Sequence, residues 1–134
     1  MIIDASVILR AFFPDEAQAQ AQELIRDHIS GHARLAAPTL LLYEVTNAIV
    51  QAERRGRISD EVGEEILAAF EGLDIELEPV TWQQMLPLAR EFDRSAYDAA
   101  YLALAQSRGE PLVTGDLRLY DAVRDRLGWV QYIG

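Results

Sequence analysis

The chain alternates short apolar segments with longer segments of helical pattern, and this alternation limits the folds that it can adopt. Five segments have the length and composition of strands, and they span residues 1–3, 34–37, 75–80, 111–114 and 129–133. Between them lie helical patterns that begin at polar residues such as Thr39 and Ser95 and mostly end near glycine. Strands separated by helices predict an α/β fold with a mainly parallel sheet.

The length and composition suit one ordinary domain. The 134 residues are 50% hydrophobic and 25% charged, which is typical of a globular protein with a core of its own. Neither a repeat nor a linker interrupts the pattern, so we expect a single domain over residues 1–134. No apolar run is long enough to cross a bilayer, and the N-terminus, interrupted by Asp4, is unlike a signal peptide. We therefore expect a cytoplasmic protein without membrane contact.

Two missing residue types exclude whole classes of chemistry. The chain has no cysteine, so it has no disulfide, no thiol nucleophile and no cysteine-ligated zinc. All 12 basic residues are arginine, so the lysine of a P-loop or of a Schiff-base enzyme is absent. The 22 acidic residues give a net charge of −10, which argues against nucleic-acid binding driven by overall charge. Contact with phosphate would need local arginines or a bound cation.

Two aspartates stand where predicted strands end. Asp4 follows the first strand directly, and Asp116 follows the fourth strand after Gly115. Ligands of an open parallel sheet bind beyond the carboxyl ends of its strands, so both side chains are placed where a site can form. Each of them alone is better explained as a turn or helix-capping aspartate, because aspartate favours both positions.

Two further carboxylates interrupt apolar helix faces. Glu44 lies within the apolar stripe of residues 41–52, so its side chain faces the core or a cleft. Asp98 is the one charged residue in the segment 95–105, which is apolar nearly all round and therefore predicted to be buried. A buried carboxylate needs a hydrogen-bond donor or a metal. The alternatives are an ion pair of Glu44 with an arginine such as Arg10 and, for Asp98, the helix dipole.

Convergence of these four carboxylates at one edge of the sheet would create like-charge repulsion that cations relieve. Oxygen ligands suit hard cations, so the pattern predicts Mg²⁺ or Mn²⁺, which activate water and stabilise phosphoryl oxygens. The hydroxyls of Ser6 and Thr114 lie beside Asp4 and Asp116 in the sequence and could hold metal-bound water or orient a carboxylate. The alternatives are a helix cap for Ser6 and an ordinary strand residue for Thr114.

At these carboxylates the sequence resembles the PIN-domain family, and in particular the VapC-type toxins of bacterial and archaeal toxin–antitoxin pairs. The similarity extends over essentially the whole chain. Four segments carry it, and they read IIDAS at 2–6, LYEVTNA at 42–48, YDAAYLALA at 97–105 and LVTGDLRL at 112–119. Each segment alone is unspecific, whereas four of them in this order within a chain of this length are specific.

The resemblance implies a three-layer α/β/α fold with a five-stranded, mainly parallel sheet. It also implies an Mg²⁺- or Mn²⁺-dependent endoribonuclease that hydrolyses RNA phosphodiesters as the toxin of a toxin–antitoxin pair. Matched position by position, the catalytic residues and metal ligands are Asp4, Glu44, Asp98 and Asp116. Supporting positions are matched by Ser6, Thr114 and Asn47. RNA as substrate, a cognate antitoxin and a homodimer are the implied partners.

Several other residues have simple structural interpretations. His28 and His32 have a helical metal-binding spacing, but Gly31 interrupts the helix and no third nitrogen or sulfur ligand follows nearby. Tyr97, Tyr101 and Trp82 are expected in the core rather than in a surface that stacks on bases. The candidate RNA contacts are Arg10, Arg54, Arg55 and Arg118. For the arginines at the end of the third helical segment, interaction with the helix dipole is the simpler explanation.

Two other functions stay open beside the ribonuclease. In the first, the chain is a catalytically silent PIN-like interaction module that acts through dimer or antitoxin binding. In the second, it is a phosphotransfer domain, since such domains also place aspartates at strand ends. Response-regulator receivers and haloacid-dehalogenase-type phosphatases normally use a lysine near the phosphoryl group, and this chain has none, which disfavours the second function.

Overall fold

A parallel sheet of five strands forms the centre of the fold. The computed structural model describes residues 1–134 and places the strands at Ile2–Ile3 (β1), Ala36–Pro38 (β2), Glu76–Glu78 (β3), Leu112–Thr114 (β4) and Val130–Tyr132 (β5). Their spatial order is β3-β2-β1-β4-β5, and every neighbouring pair is parallel. The α/β fold with a five-stranded parallel sheet is thus confirmed.

Seven helices connect the strands and cover both faces of the sheet. They span Ala5–Phe12 (α1), Ala19–Ser30 (α2), Leu40–Arg54 (α3), Asp60–Gly72 (α4), Trp82–Phe92 (α5), Ala96–Arg108 (α6) and Leu117–Val123 (α7). None of them is both long and apolar enough to cross a membrane.

The strand order determines which helices share a face. From β1 the chain proceeds to β2 and β3 on one side, and then returns to β4 and β5 on the other side. Right-handed crossovers therefore place α1–α4 on one face and α5–α7 on the opposite face. The contacts agree, because α6 packs on β1, β2, β4 and α5, whereas α1 packs against α2 and α3. The direction of the connections reverses between β1 and β4, which is where open α/β sheets bind ligands.

Helix α6 forms the middle of the hydrophobic core. Its residues 99–105 are all buried, as the nearly uniform apolar sequence predicts. They pack with the strands and with α1, α3 and α5 into one cluster of 27 buried residues. A smaller cluster of Phe13, Ile49, Ala52 and Ile66 joins α1 and α3 to α4. The carboxyl edge of the sheet is thereby held by helices whose own positions are fixed by packing.

His28 joins three elements through its imidazole. Its Nδ1 accepts the Leu35 N–H at 3.1 Å, which leaves Nε2 to donate to the Leu73 carbonyl at 2.7 Å. His32 is exposed and lies beside the Ser30 hydroxyl, with 2.6 Å between that oxygen and Nδ1. Both nitrogens of His28 therefore serve backbone groups, and the two histidines do not share a metal site.

We expect His28→Ala to lower the free energy of unfolding by about 1–3 kcal/mol, because the Leu35 N–H then lacks its acceptor in a residue that is 1% exposed. Urea denaturation followed by circular dichroism measures this change. His32→Ala is the matched control and should shift the unfolding free energy by no more than about 0.5 kcal/mol. Equal destabilisation by both substitutions would contradict the role given to His28.

Candidate active site at the carboxyl edge of the sheet

The carboxylate of Asp4 is buried at the end of β1, with 7% of the residue exposed. It caps α1, because its Oδ1 accepts the Ser6 N–H at 3.1 Å. The Ser6 hydroxyl donates to the same oxygen, and the Thr114 hydroxyl donates to Oδ2. Burial raises the pKa of Asp4 from 3.8 to about 6; the two hydroxyls oppose this rise and the charge of Asp116 adds to it. Asp4 rather than Ser6 is the helix cap, so Ser6 is free to orient the carboxylate.

The same two hydroxyls also hold the loop after β4. The Ser6 hydroxyl accepts the Gly115 N–H at 2.6 Å, and the Thr114 hydroxyl accepts the Asp116 N–H at 2.9 Å. Asp116 Oδ1 in turn accepts two backbone N–H groups from the first turn of α7, at 3.0 and 3.2 Å. The other oxygen of this carboxylate makes no hydrogen bond within the protein, so it can bind a ligand without releasing the helix cap.

Glu44 lies on α3 and is partly buried beside α6. The hydroxyl of Tyr101 donates a hydrogen bond to its Oε1. Burial raises the pKa of Glu44, the hydrogen bond from Tyr101 lowers it, and the charge of Asp98 raises it further. Arg10 does not pair with Glu44, because its guanidinium donates to the Ile133 carbonyl at 2.6 Å. The ion pair that would have given Glu44 a purely structural role is therefore not formed.

Asp98 lies in the first turn of α6 and is partly buried. Its backbone N–H donates to the Ser95 hydroxyl at 3.0 Å, which caps the helix, while its carboxylate has neither a hydrogen bond nor an ion pair. Burial raises the pKa of Asp98, the charge of Asp116 adds to the rise, and Arg94 opposes it. The helix dipole makes a carboxylate tolerable at this position, but it supplies no partner for its oxygens.

Neighbouring carboxylates of the four repel each other, and none of them forms an ion pair, although the charge of Arg94 acts on Asp98. Repulsion acts between Asp4 and Asp116, between Asp116 and Asp98, and between Asp98 and Glu44. Every ion pair in the protein involves other acidic residues, so no arginine is paired with any member of this cluster. The structure thus brings together the four residues that the sequence singles out, and it leaves their charge to be neutralised from solution.

The donor atoms of this cluster fit a hard divalent cation. They are carboxylate and hydroxyl oxygens, because both histidines lie near the start of β2, at the opposite edge of the sheet. No three acidic or histidine side chains are close enough together to enclose an ion. Such an open arrangement suits Mg²⁺, which keeps several of its waters and is usually held by one or two carboxylates together with substrate phosphate.

The remaining candidate residues lie at different distances from the cluster. Asn47 is exposed on α3, one turn after Glu44, and its side chain makes no hydrogen bond. Arg118 is exposed in the first turn of α7, beside the cap formed by Asp116. The guanidinium of Arg10 lies over Gly115, where a Cβ would stand 2.7 Å from Nε, so a larger residue at this position would displace the Arg10 side chain.

Arg54 and Arg55 lie at the carboxyl end of α3, about 15 Å along the helix from Glu44. Both are exposed, and neither forms an ion pair. The structure therefore does not bring these two arginines to the carboxylates, and a role in RNA contact would need a substrate that extends along the helix.

Three aromatic residues differ in part from the sequence expectation. Tyr101 is buried as expected, but its hydroxyl reaches a site carboxylate. Its position three residues after Asp98 is the sequence signal, since residues three apart share a helix face. Tyr97 and Trp82 were expected in the core and are instead 64% and 65% exposed. Both lie in the first turn of a helix, before its first buried residue.

Comparison with known proteins adds a family, curated relatives and a solved structure. Residues 1–125 match the family model of the PIN domain. Ribonuclease VapC3 of Pyrobaculum aerophilum is 30% identical over 123 residues, which cover 89% of this chain and 91% of that protein. Ribonuclease VapC9 of Mycobacterium tuberculosis is 32% identical over 121 residues, with 90% and 89% covered. The crystal structure of PAE2754 from Pyrobaculum aerophilum superimposes with a TM-score of 0.73 at 26% identity, covering 94% of this chain and 87% of that one.

The raised pKa of Asp4 predicts that the metal-free protein loses stability as the pH rises. Between about pH 4 and pH 6 the folded state holds a proton on Asp4 that the unfolded state has released. The free energy of unfolding therefore falls as the pH rises through this range and levels off above the folded-state pKa. A rise of the pKa from 3.8 to about 6 corresponds to about 3 kcal/mol at neutral pH.

Asp4→Asn removes this titration, while its amide can still bond with both hydroxyls. In the presence of a chelator we expect the variant to unfold with a free energy up to about 3 kcal/mol above that of the parent at neutral pH. The difference should shrink towards zero near pH 4. Urea denaturation at several pH values tests this, and a difference that does not change with pH would contradict it.

Proposed function

The chain belongs to the PIN-domain family, and on that premise we propose that it is a metal-dependent endoribonuclease, the toxin of a toxin–antitoxin pair. Its similarity to Ribonuclease VapC3 and Ribonuclease VapC9 over about nine tenths of its length supports RNA as the substrate. The names of these relatives also support an antitoxin as partner. We further propose that the chain is a homodimer and that its cation is Mg²⁺ or Mn²⁺.

One observation carries this proposal. Four carboxylates lie near the point where the direction of the strand connections reverses, each within electrostatic reach of the next, and none of them forms an ion pair. A structural carboxylate in a protein interior is normally paired, because an unpaired buried charge is costly. Carboxylates that stay unpaired together are expected where a cation binds, and a perturbed pKa at a cleft is typical of a functional site.

The residues of the site orient the carboxylates and would hold the cation. Ser6 and Thr114 orient Asp4 by donating to both of its oxygens. Asp116 keeps one oxygen in the cap of α7 and presents the other. Tyr101 directs Glu44 by donating to Oε1. Asp4, Glu44, Asp98 and Asp116 would hold the cation, one or two of them directly and the others through its bound waters. When bound, Mg²⁺ or Mn²⁺ supplies an activated water and stabilises charge on phosphoryl oxygens.

The arginines and Asn47 would contact the RNA rather than the cation in this proposal. Arg118 and Arg10 flank the loop of Asp116 and are the RNA contacts nearest to the carboxylates. Arg54 and Arg55 would touch RNA only at a distance from the reacting phosphate. Asn47 would act from the rim of the cleft, where its exposed side chain can reach a ribose or a phosphate. All of these contacts are weak against a net charge of −10, so RNA binding should depend on the cation.

Cleavage of RNA by the purified protein tests the proposed reaction. We expect hydrolysis with Mn²⁺ or Mg²⁺, none with a chelator, and a loss of rate of at least about 100-fold in Asp98→Asn, because a charged group at the reacting centre is removed. Asp93→Asn is the matched control, since Asp93 is exposed and asparagine also tolerates its positive φ of 52°. The control should retain the parent's rate within about twofold.

Failure of this experiment has a clear meaning. If the parent binds Mn²⁺ and cleaves no RNA, the catalytic proposal is wrong, and the silent interaction module becomes the better description. If Asp98→Asn cleaves as fast as the parent, the reaction takes place elsewhere on the molecule.

Cation binding itself has a separate readout in thermal unfolding. A ligand that binds only the folded state at 100 times its Kd stabilises that state by about 2.7 kcal/mol. We therefore expect Mn²⁺ to raise the Tm of the parent and of Asp93→Asn, with a much smaller rise in Asp98→Asn. A chelator should reverse the rise. An equal rise in all three proteins would place the bound ion outside the carboxylate cluster.

A further inference from the structure

One face of helix α1 contacts the loop that carries Asp116. Ser6 and Arg10 are four residues apart in α1, so their side chains lie on the same side of the helix. The Ser6 hydroxyl accepts the Gly115 N–H at 2.6 Å. The guanidinium of Arg10 lies over the same glycine, with Nε, Cζ and Nη1 at 2.7, 2.8 and 2.9 Å from the place where a Cβ would stand. Because three atoms of this planar group are almost equally distant, the guanidinium faces Gly115 with its plane.

This contact, rather than the backbone, is what requires glycine at position 115. Gly115 does not have a positive φ, so other residues could adopt its backbone conformation. A Cβ at this position would come within 2.7 Å of the guanidinium of Arg10, much closer than the separation of about 3.5–4.0 Å that packed atoms prefer. The loop and the guanidinium therefore keep their contact only while residue 115 has no side chain.

A ring of contacts extends from Arg10 to the segment after the last strand. Nη1 of Arg10 donates to the Ile133 carbonyl at 2.6 Å, and the Ile133 N–H donates to the Thr114 carbonyl at 2.9 Å. Thr114 is followed by Gly115, whose N–H returns to α1 at Ser6. Helix α1, the end of β4 and the end of β5 are thus fixed to one another at the carboxyl edge of the sheet.

Arg10 has no competing partner that would draw it away from the loop. Asp15 and Glu16 line a cavity together with Arg10, but both pair with Arg57 at 2.9 Å, and Arg10 forms no ion pair. Ile133 is buried, so its carbonyl would be left without a partner if the guanidinium moved to a phosphate. The geometry therefore favours a guanidinium that stays on the loop.

We propose that Arg10 is a positioning residue for Asp116, because it covers Gly115 and so fixes the loop that presents the free oxygen of the Asp116 carboxylate. The inference rests on the proposed ribonuclease function, in which Asp116 holds the cation. Asp116 directly follows Gly115, so a displacement of the glycine also displaces the carboxylate. Removal of a group that orients a metal-binding residue typically lowers metal affinity or activity about 10- to 100-fold.

Two substitutions break the contact from opposite sides. Arg10→Ala removes the guanidinium, whereas Gly115→Ala keeps it in the protein and displaces it. We expect each of them to lower kcat for RNA cleavage with Mn²⁺ about 10- to 100-fold and to change KM less than about threefold. An arginine that only binds an RNA phosphate would instead raise KM and leave kcat unchanged, so that result in Arg10→Ala would overturn the proposal.

Arg26→Ala is the matched control, since Arg26 is an exposed arginine of α2 that forms no ion pair. It removes one positive charge, as Arg10→Ala does, and should retain the parent's kcat and KM within about twofold. An equal loss of kcat in both variants would attribute the effect to net charge and contradict the positioning role.

The double variant Arg10→Ala/Gly115→Ala tests whether the two residues act through their mutual contact. The group with which the new Cβ collides is then absent, so the second substitution should add less than about twofold to the loss of kcat in Arg10→Ala. Losses of kcat that multiply would show that the two residues act independently, which would contradict the proposal.

Amide hydrogen exchange, followed by NMR in the metal-free protein, measures the loop without cleavage or cation. The Gly115 and Asp116 N–H groups are bonded to the Ser6 and Thr114 hydroxyls, and we expect Arg10→Ala to speed their exchange at least about tenfold. The N–H of Leu102, in the buried part of α6, should exchange at the parent's rate. Equal acceleration at Leu102 would mean a general loss of stability and overturn the positioning role.

The outcomes distinguish this inference from the proposed function. If the parent cleaves RNA and Arg10→Ala keeps the parent's kcat and exchange rates, the positioning role is wrong while the ribonuclease stands. If the parent cleaves no RNA, the ribonuclease is wrong, and the exchange rates of Gly115 and Asp116 still decide whether Arg10 fixes the loop.

Discussion

The buried carboxylate of Asp4 ties the two central strands to the helices that follow them. It ends β1, caps α1 through the Ser6 N–H and receives hydroxyl hydrogen bonds from Ser6 and Thr114. The same hydroxyls accept the N–H groups of Gly115 and Asp116, which fixes the loop after β4. Each hydroxyl thus donates to the carboxylate and accepts from the neighbouring backbone. The hydrogen bonds that close this edge of the sheet are therefore the ones that orient the site.

Helix α6, which carries Asp98 and Tyr101, is also held in a fixed position. Its apolar residues fill the core, so its position is fixed by packing rather than by the site. One helix face then presents Asp98 and, three residues later, Tyr101, whose hydroxyl reaches across to Glu44 on α3. The polar groups are few and sit on elements that cannot easily move, which is what precise placement of a reacting phosphate requires.

Much of this arrangement follows from the sequence by simple rules. Parallel strands end at one edge, so an α/β fold placed Asp4 and Asp116 at the same edge; that they are neighbours follows from the adjacency of β1 and β4, which local pattern does not predict. Isolated carboxylates on apolar helix faces directed Glu44 and Asp98 towards the core or a cleft. Local pattern could not decide which residue caps α1, because Asp4 and Ser6 are both good caps and the choice depends on Thr114, which is distant in sequence. It could not show that Tyr97 is exposed either, since periodicity reveals which residues of α6 are apolar and not where along the helix burial begins.

The negative charge of the chain limits how it can bind a nucleic acid. Nucleic-acid binders usually gain affinity by releasing counterions from phosphates onto lysine and arginine. Here lysine is absent, and the arginines beside the carboxylates are Arg10, Arg94 and Arg118. A phosphate can approach such a cleft only once a divalent cation has reduced its charge, so loading of the cation and binding of the anion must favour each other. Arg10 is itself held by the Ile133 carbonyl, so an RNA phosphate at this cleft would depend chiefly on the charge of the cation.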